Sequence, residues 1–234
     1  MDGVLFEFGD VTVRRDGHTL LDRVDARVSD HGITVIVGPS GAGKSTFLRL
    51  CNRLDVPTEG TVRFCGADLA SLDPRELRRR VAMVFQRPVI LPGTVAANVG
   101  EGDPAATGAR IDDVLDRVGL AGAADRDAHS LSGGEAQRMC VARTLLARPE
   151  CVLFDEPTSS LDRASREVIE LIAQDLAADG VPSVWVTHDL DQMRRLAHRL
   201  VVLVDGRVLQ QGGAADVLDS PVAAVSKFLS GGGS

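Results

Sequence analysis

Residues 33–46 read Ile-Thr-Val-Ile-Val-Gly-Pro-Ser-Gly-Ala-Gly-Lys-Ser-Thr, and this stretch decides the fold. Ile33–Val37 is wholly β-branched and stops at a glycine. Such a run reads as a strand buried on both faces, the kind found inside parallel sheets. Glycines at 38, 41 and 43 allow the backbone to curl with its N–H groups turned inward around phosphate oxygens. Ser45–Leu54 then reads as a helix with Phe47, Leu48 and Leu50 apolar, and its start adds the positive end of a helix dipole. Strand, glycine loop and helix stand in the order required of G-x-x-x-x-G-K-[ST]. Gly38, Pro39, Ser40, Gly41, Ala42, Gly43, Lys44, Ser45 and Thr46 are therefore expected to bind the phosphates of a nucleotide. Lys44 is expected to bridge the β- and γ-phosphates and to count among the catalytic residues, and the Ser45 hydroxyl to bind Mg²⁺.

Further apolar runs extend the same pattern along the chain. Residues 4–13 alternate loosely, as an edge hairpin strand would. Asp73-Pro74 reads as a helix cap and first helical residue, starting a helix through about Arg80. Strands are expected at Val81–Phe85, Cys151–Phe154 and Ser183–Val186, and a helix at Ala164–Ala178. Asp205-Gly206 marks a hairpin between Leu200–Val204 and Val208–Gln210, and short helices close the chain. Residues 86–150 differ in texture, with turn residues and then helical patterns at Ile111–Val118 and Gly133–Leu146. They read as a helical subdomain inserted in a core of about 1–85 and 151–219, with a tail at 220–234. Alternating strands and helices imply a mostly parallel sheet covered on both faces.

Asp155-Glu156 follows Cys151–Phe154 at a strand end, where ligands bind in open α/β sheets. After a phosphate loop, Asp155 is expected to hold Mg²⁺ and Glu156 to accept a proton from the attacking water. A second glycine element, Ser132-Gly133-Gly134, opens a helix with Glu135 and Gln137 in its first turn, and a helix start is an anion site.

Composition narrows the classes. The chain has 234 residues and a net charge of −7, which argues against a basic nucleic-acid-binding surface, so no nucleic-acid partner is expected. Of 26 basic residues only Lys44 and Lys227 are lysines. Cys51, Cys65, Cys140 and Cys151 form no CxxC pair and are expected to fill small core sites in a reducing compartment. No apolar run approaches the roughly 20 residues of a membrane span. The start of the chain, with Asp2 and Glu7, lacks a basic-then-apolar leader. The chain is thus expected to be soluble, with any membrane role coming through a partner. Ser230–Ser234 reads as a flexible tail.

The set of motifs, in order, resembles the ATP-binding-cassette (ABC) ATPases over about residues 4–219. It comprises the phosphate loop, Gln86 in Met-Val-Phe-Gln-Arg-Pro, Leu131-Ser-Gly-Gly-Glu-Ala-Gln-Arg138, Leu153-Phe-Asp-Glu-Pro157 and Val186-Thr-His-Asp189. The resemblance implies an α/β P-loop NTPase (RecA-like) fold with an antiparallel N-terminal β portion and an inserted helical subdomain. It implies that Gln86, 42 residues after Lys44 (86 − 44), senses Mg²⁺ and the γ-phosphate. It implies that His188 contacts the γ-phosphate and positions the water. It also explains the second anion site. Two copies pack head to tail, and Ser132, Gly133, Gly134 and Gln137 of one cover the ATP bound by the other, with Ser160-Leu161-Asp162 linking the two sites. Integral-membrane permease subunits are the implied partners, docking around Arg87–Val99, with the chain peripheral on the cytoplasmic face of the cell membrane.

Within the family, Val84-Phe-Gln-Arg-Pro88 and Gln137-Arg-Met-Cys-Val-Ala-Arg143 are most similar to importer ATPases for phosphate and related oxyanions. The rivals are an exporter or lipoprotein-release ATPase, and a non-transport ABC protein acting as an ATP-gated interaction module. One position departs from the pattern. The family commonly places an aromatic residue before the phosphate loop to stack on adenine. The chain has no tyrosine, and alignment of Val11–Arg15 puts Arg15 there. A guanidinium plane can stack on a base. Phe8 and His18 are the lesser candidates.

Overall fold

The computed structural model describes residues 3–230. Asp2 and the Gly-Gly-Gly-Ser end, on which two of the readings above fall, lie outside the described residues. Strand β1 (Val4–Arg15) turns back into β2 (His18–Ser29) over Asp16 and Gly17, whose φ angles of 50° and 78° suit a tight hairpin. β3 (Ile33–Val37) starts a different sheet, while β4 (Glu59–Phe64) and β5 (Ala67–Asp68) return to the first. The first sheet is antiparallel, in the order β2-β1-β4-β5. β1 is thus an interior strand, hydrogen-bonded on both sides, and the edge reading of residues 4–13 is corrected.

The second sheet adds β6 (Val81–Val84), β7 (Cys151–Asp155), β8 (Ser183–Val186), β9 (Arg199–Val204) and β10 (Arg207–Gly213) to β3. Its order is β10-β9-β3-β8-β7-β6, parallel throughout except for the β9–β10 hairpin. β3 and β7 are buried at every position, which is why both read as continuous apolar runs.

Alternation along these strands divides two cores. Ile36, Leu153 and Val186 face β1, β2 and helix α1 (Lys44–Leu50), where Phe8 stacks on Phe47 with ring centroids 4.0 Å apart. Val35, Phe154 and Trp185 face the other way, toward α5 (Gly133–Leu146), α6 (Arg163–Ala178) and α7 (Leu190–Leu196). Each fully buried side chain of this size contributes about 1.5–3 kcal/mol. α2 (Pro74–Arg80) is capped by the Asp73 side chain and leads into β6. α3 (Val95–Gly100) and α4 (Gly108–Arg117) lie between β6 and α5. Residues 86–150 thus hold helices, and among the described residues their only β pairing is the Thr94–Asp127 bridge. α8 (Ala214–Asp219) and α9 (Ala223–Leu229) follow β10.

Several boundaries differ from the sequence reading, among them those of α1, α4 and β6, while β10 runs on to Gly213 instead of ending at Gln210. α1 stops at Leu50 rather than Leu54, because Arg53 takes a left-handed φ of 56° and Leu54 N–H closes on Arg49 O at 3.0 Å. α4 begins at Gly108, where Thr107 caps it. β6 ends at Val84 and leaves Phe85 more than a third exposed. Cys65 is no core residue either. It is exposed in the β4–β5 turn with φ 49°.

Candidate nucleotide and hydrolysis site

The phosphate loop connects β3 to α1, and two of its glycines are sterically obligatory. A Cβ on Gly38 would lie 1.8 Å from Leu203 O, and one on Gly43 2.5 Å from Leu20 O, at a φ of 98°. The loop therefore presses against the neighbouring strands while its outer face stays open around Gly41. Lys44 is buried at 6% exposure, and its Nζ donates to Gly38 O and Pro39 O at 2.8 Å each. Burial pulls its pKa below the ordinary lysine value, and the nearby Glu156 and Asp155 charges pull it back up.

Parallel pairing of β7 with β8 aligns Asp155 with Val186, so the loops after both strands open at one end of the sheet. Ser45 Oγ donates to Asp155 Oδ1 at 2.7 Å, joining the start of α1 to the end of β7. Asp155 is 4% exposed, and its other oxygen lies 3.5 Å from Arg49. The next residue, Glu156, has a left-handed φ of 45°, which turns its side chain toward the loop after β8. There His188 Nδ1 meets Glu156 Oε2 at 2.9 Å. Gln86, beyond β6, donates from Nε2 to Ser159 Oγ at 3.2 Å. Thus Lys44, Ser45, Asp155, Glu156, His188 and Gln86 gather around the ends of β3, β6, β7 and β8. A hydroxyl beside a carboxylate is a hard-oxygen donor pair suited to Mg²⁺, which commonly completes its shell with phosphate oxygens and water. The glycine cradle and the Lys44 ammonium suit a polyphosphate.

The second glycine element is built differently. Ser132 caps α5: its Oγ accepts from Glu135 N at 3.3 Å while Glu135 Oε2 accepts from Ser132 N at 2.9 Å. Arg126 adds an ion pair to Glu135 at 2.7 Å, and these bonds hold the Glu135 carboxyl down at about 2. α5 and α6 approach closely at Gly134, where a Cβ would lie 2.3 Å from Ser165 Oγ and force that side chain to move, whereas Gly133 faces open space. Asp162 caps α6 through Ser165 N at 2.9 Å, and Arg138 reaches Ser165 Oγ at 2.6 Å, so segment 160–162 is tied to α5. Gln137 departs from its expected place. It is fully buried and donates to Phe85 O at 2.8 Å, tying α5 to the end of β6 instead of lining the exposed helix start.

Arg15 ends β1, half-exposed, and forms an ion pair with Asp55. His18 faces it across the hairpin. Phe8 is 2% exposed beneath Phe47's ring, so it offers no free face for a base. Arg49 and a buried group around Gln192 also border the site, and no motif signalled either. Arg49 meets Asp155 from a distant part of the chain, and Gln192 meets Thr158 and Glu170, 34 and 22 residues away in sequence, beside the nearer Trp185.

A phosphate loop on a mostly parallel sheet, with a carboxylate meeting its serine, defines a P-loop nucleoside-triphosphatase. Residues 21–159 match the family model described as ABC transporter, and the chain belongs to the ABC transporter ATPases, which bind ATP and power transport. It is 40% identical to the phosphate import ATP-binding protein PstB 2 of Natronomonas pharaonis, over 92% of this chain and 83% of that protein. It is likewise 40% identical to the methionine import ATP-binding protein MetN of Caulobacter vibrioides, over 94% and 70%. To the glutamine transport ATP-binding protein GlnQ of Escherichia coli it is 34% identical, over 93% and 95%. Among solved structures it is similar to cbiO1 of Clostridium perfringens, part of the complex cbiONQ. That match has a TM-score of 0.83 at 25% identity, over 94% of this chain and 92% of that one. A bacterial Atm1-family ABC exporter with ATP bound gives a TM-score of 0.87 at 28% identity, over 99% of this chain and 43% of that one.

Proposed function

We propose that the chain is a single nucleotide-binding domain that hydrolyses ATP as a head-to-tail homodimer and drives an importer, with phosphate or a related oxyanion as solute. The meeting of the two strand ends carries the hydrolytic part of this reading: Ser45 with Asp155 at 2.7 Å, and Glu156 with His188 at 2.9 Å. Residues 86–150 act as the helical subdomain. Phosphate-loop N–H groups and Lys44 bind the β- and γ-phosphates, while Ser45, Asp155 and Gln86 hold Mg²⁺. When bound, the ion would supply positive charge against the phosphate oxygens, and the β–γ linkage is the bond that breaks. Glu156 takes the proton of the attacking water, whose oxygen forms the new bond to the γ-phosphorus. His188 orients that water from the exposed side of the glutamate. Ser132, Gly133 and Gly134 of a second copy close over the γ-phosphate with the positive end of α5.

Among the described residues no helix is long and apolar enough to cross a membrane. Separate permease subunits therefore supply the path in this reading, and the chain sits peripherally on the cytoplasmic face. Phe85, Val89 and Leu91 are exposed beside Gln86 and offer them an apolar contact. The importer reading is supported by relatives named for phosphate, methionine and glutamine, and the oxyanion by the first of these together with the 84–88 and 137–143 segments. The likeness to an Atm1-family exporter keeps export as the second reading. Identifying the integral subunit that co-purifies from membranes separates the two.

The hydrolytic assignment is tested with Glu156→Gln. ATP binding persists and turnover falls by roughly 10²-fold or more. Turnover within about threefold of native, a change under ~1 kcal/mol in barrier, sinks the assignment.

A further inference from the structure

We infer that Gln192 is a positioning residue for hydrolysis: its buried amide ties the segment after Glu156 to the loop that carries His188, and so sets the geometry of that pair. The inference rests on the reading of Glu156 and His188 given above.

Gln192 lies on the first turn of α7, four residues beyond His188, and is 2% exposed. Its Nε2 donates to Thr158 Oγ1 at 2.9 Å and to Glu170 Oε1 at 2.8 Å. Its Oε1 accepts from Trp185 Nε1 at 3.1 Å. Both amide hydrogens and the carbonyl are therefore engaged, inside a region where an unmade bond is costly. Thr158 stands two residues after Glu156, and Trp185 three residues before His188. One side chain thus spans β8, α6, α7 and the loop after β7. Its own position is fixed: Gln192 N bonds to Asp189 Oδ1 at 3.0 Å, and Arg195 grips both oxygens of Glu170 at 3.0 and 3.2 Å.

The pair needs such a clamp. Glu156 adopts its left-handed φ of 45° without being glycine, a conformation that persists only where its surroundings over-determine it. The His188 side chain is 61% exposed, so packing does little to hold it. A cavity of about 50 Å³, bordered by Glu156, Ser159, His188 and Gln192, lies between the two loops. A carboxylate at 192 would face that of Glu170 and lose both donors. An apolar side chain would leave Trp185, Thr158 and Glu170 each short of a partner.

The test uses the full chain and its Mg-ATP turnover, with Gln192→Met, Thr158→Val and Thr158→Ser compared with native protein and with Glu156→Gln. Gln192→Met and Thr158→Val are expected to lower kcat by roughly 10- to 100-fold, as loss of alignment does, with KM within about threefold of native. Thr158→Ser, which keeps the hydroxyl, stays within about threefold of native kcat. The double variant is no worse than the poorer single one, because both break one link. Trp185 is the chain's one tryptophan, and its emission shifts in Gln192→Met but not in Thr158→Val. A folded Thr158→Val with native kcat overturns the proposal, whether or not Gln192→Met folds. So does a Thr158→Ser as slow as Thr158→Val, which would mean packing rather than the hydrogen bond. If Glu156→Gln is inactive while Thr158→Val is native, only this inference fails. If Glu156→Gln turns over normally, the hydrolytic assignment itself has failed and takes this inference with it.

Discussion

Arg15 stands where the family's adenine-stacking aromatic is expected, and its ion pair with Asp55 holds one edge of the guanidinium while leaving the side chain half-exposed. A held plane loses less freedom on stacking than a free one. Stacking of this kind is worth about 0.5–2 kcal/mol, so Arg15→Ala is expected to weaken ATP binding by roughly 2- to 30-fold. Arg15→Tyr preserves or improves it, and GTP binds native protein nearly as well as ATP, since a stacked plane reads no base edge. Titration of both nucleotides decides the matter, and equal affinities of native and Arg15→Ala protein would move the adenine contact to His18. Single residues were unevenly legible. Lys44, Ser45, Asp155 and Glu156 sit in motifs whose spacing carries the chemistry. Gln192 and Arg49 sit in none, because Thr158, Glu170 and Asp155 reach them only through the tertiary fold.

Elements were legible where one physical pattern ruled. β3 and β7 are buried at every position and read as strands at once. β2 and β4 escaped, since charged residues interrupt them and irregular register breaks the alternation of β2 against β1. The start of α5 was legible from Ser132-Gly133-Gly134 ahead of Glu135 and Gln137, and the structure adds a capping box there between Ser132 and Glu135. That box makes the helix sensitive to acid. Arg126 and the Ser132 N–H hold the Glu135 carboxyl at about 2, below its ordinary 4.5. A folded-state value that is depressed gives stability present above pH 4.5 and lost as pH falls toward 2. Denaturant unfolding of native and Glu135→Gln protein at pH 7 and at pH 3 reads this directly. The native advantage at pH 7 is expected to shrink at pH 3. An advantage unchanged by pH would mean that the carboxylate charge contributes nothing. Ser132→Ala, which removes the other half of the box, is expected to cost about 1 kcal/mol at pH 7.

At the scale of the whole molecule, one chain carries two glycine-rich helix starts, each held by different elements of the fold. Residues 38–46 close against β2 and β9, through Leu20 and Leu203. Ser132–Gly134 are held by Glu135 and by Ser165 on α6. Gly133 opens outward, where a second copy's bound nucleotide would meet the helix start. The mostly parallel sheet and its helices followed from the alternation of strands and helical segments, whereas the antiparallel sheet was expected only through the family resemblance. The use proposed for the second glycine element came only through that resemblance, because it needs a surface that no single chain contains. The measurement that bears most directly on this account is light scattering of the Glu156→Gln protein with and without Mg-ATP, beside the same protein carrying Ser132→Arg. The account predicts monomers without nucleotide, dimers with ATP, and no shift once arginine fills the helix start. An assembly state that ignores ATP and Ser132→Arg alike would contradict it.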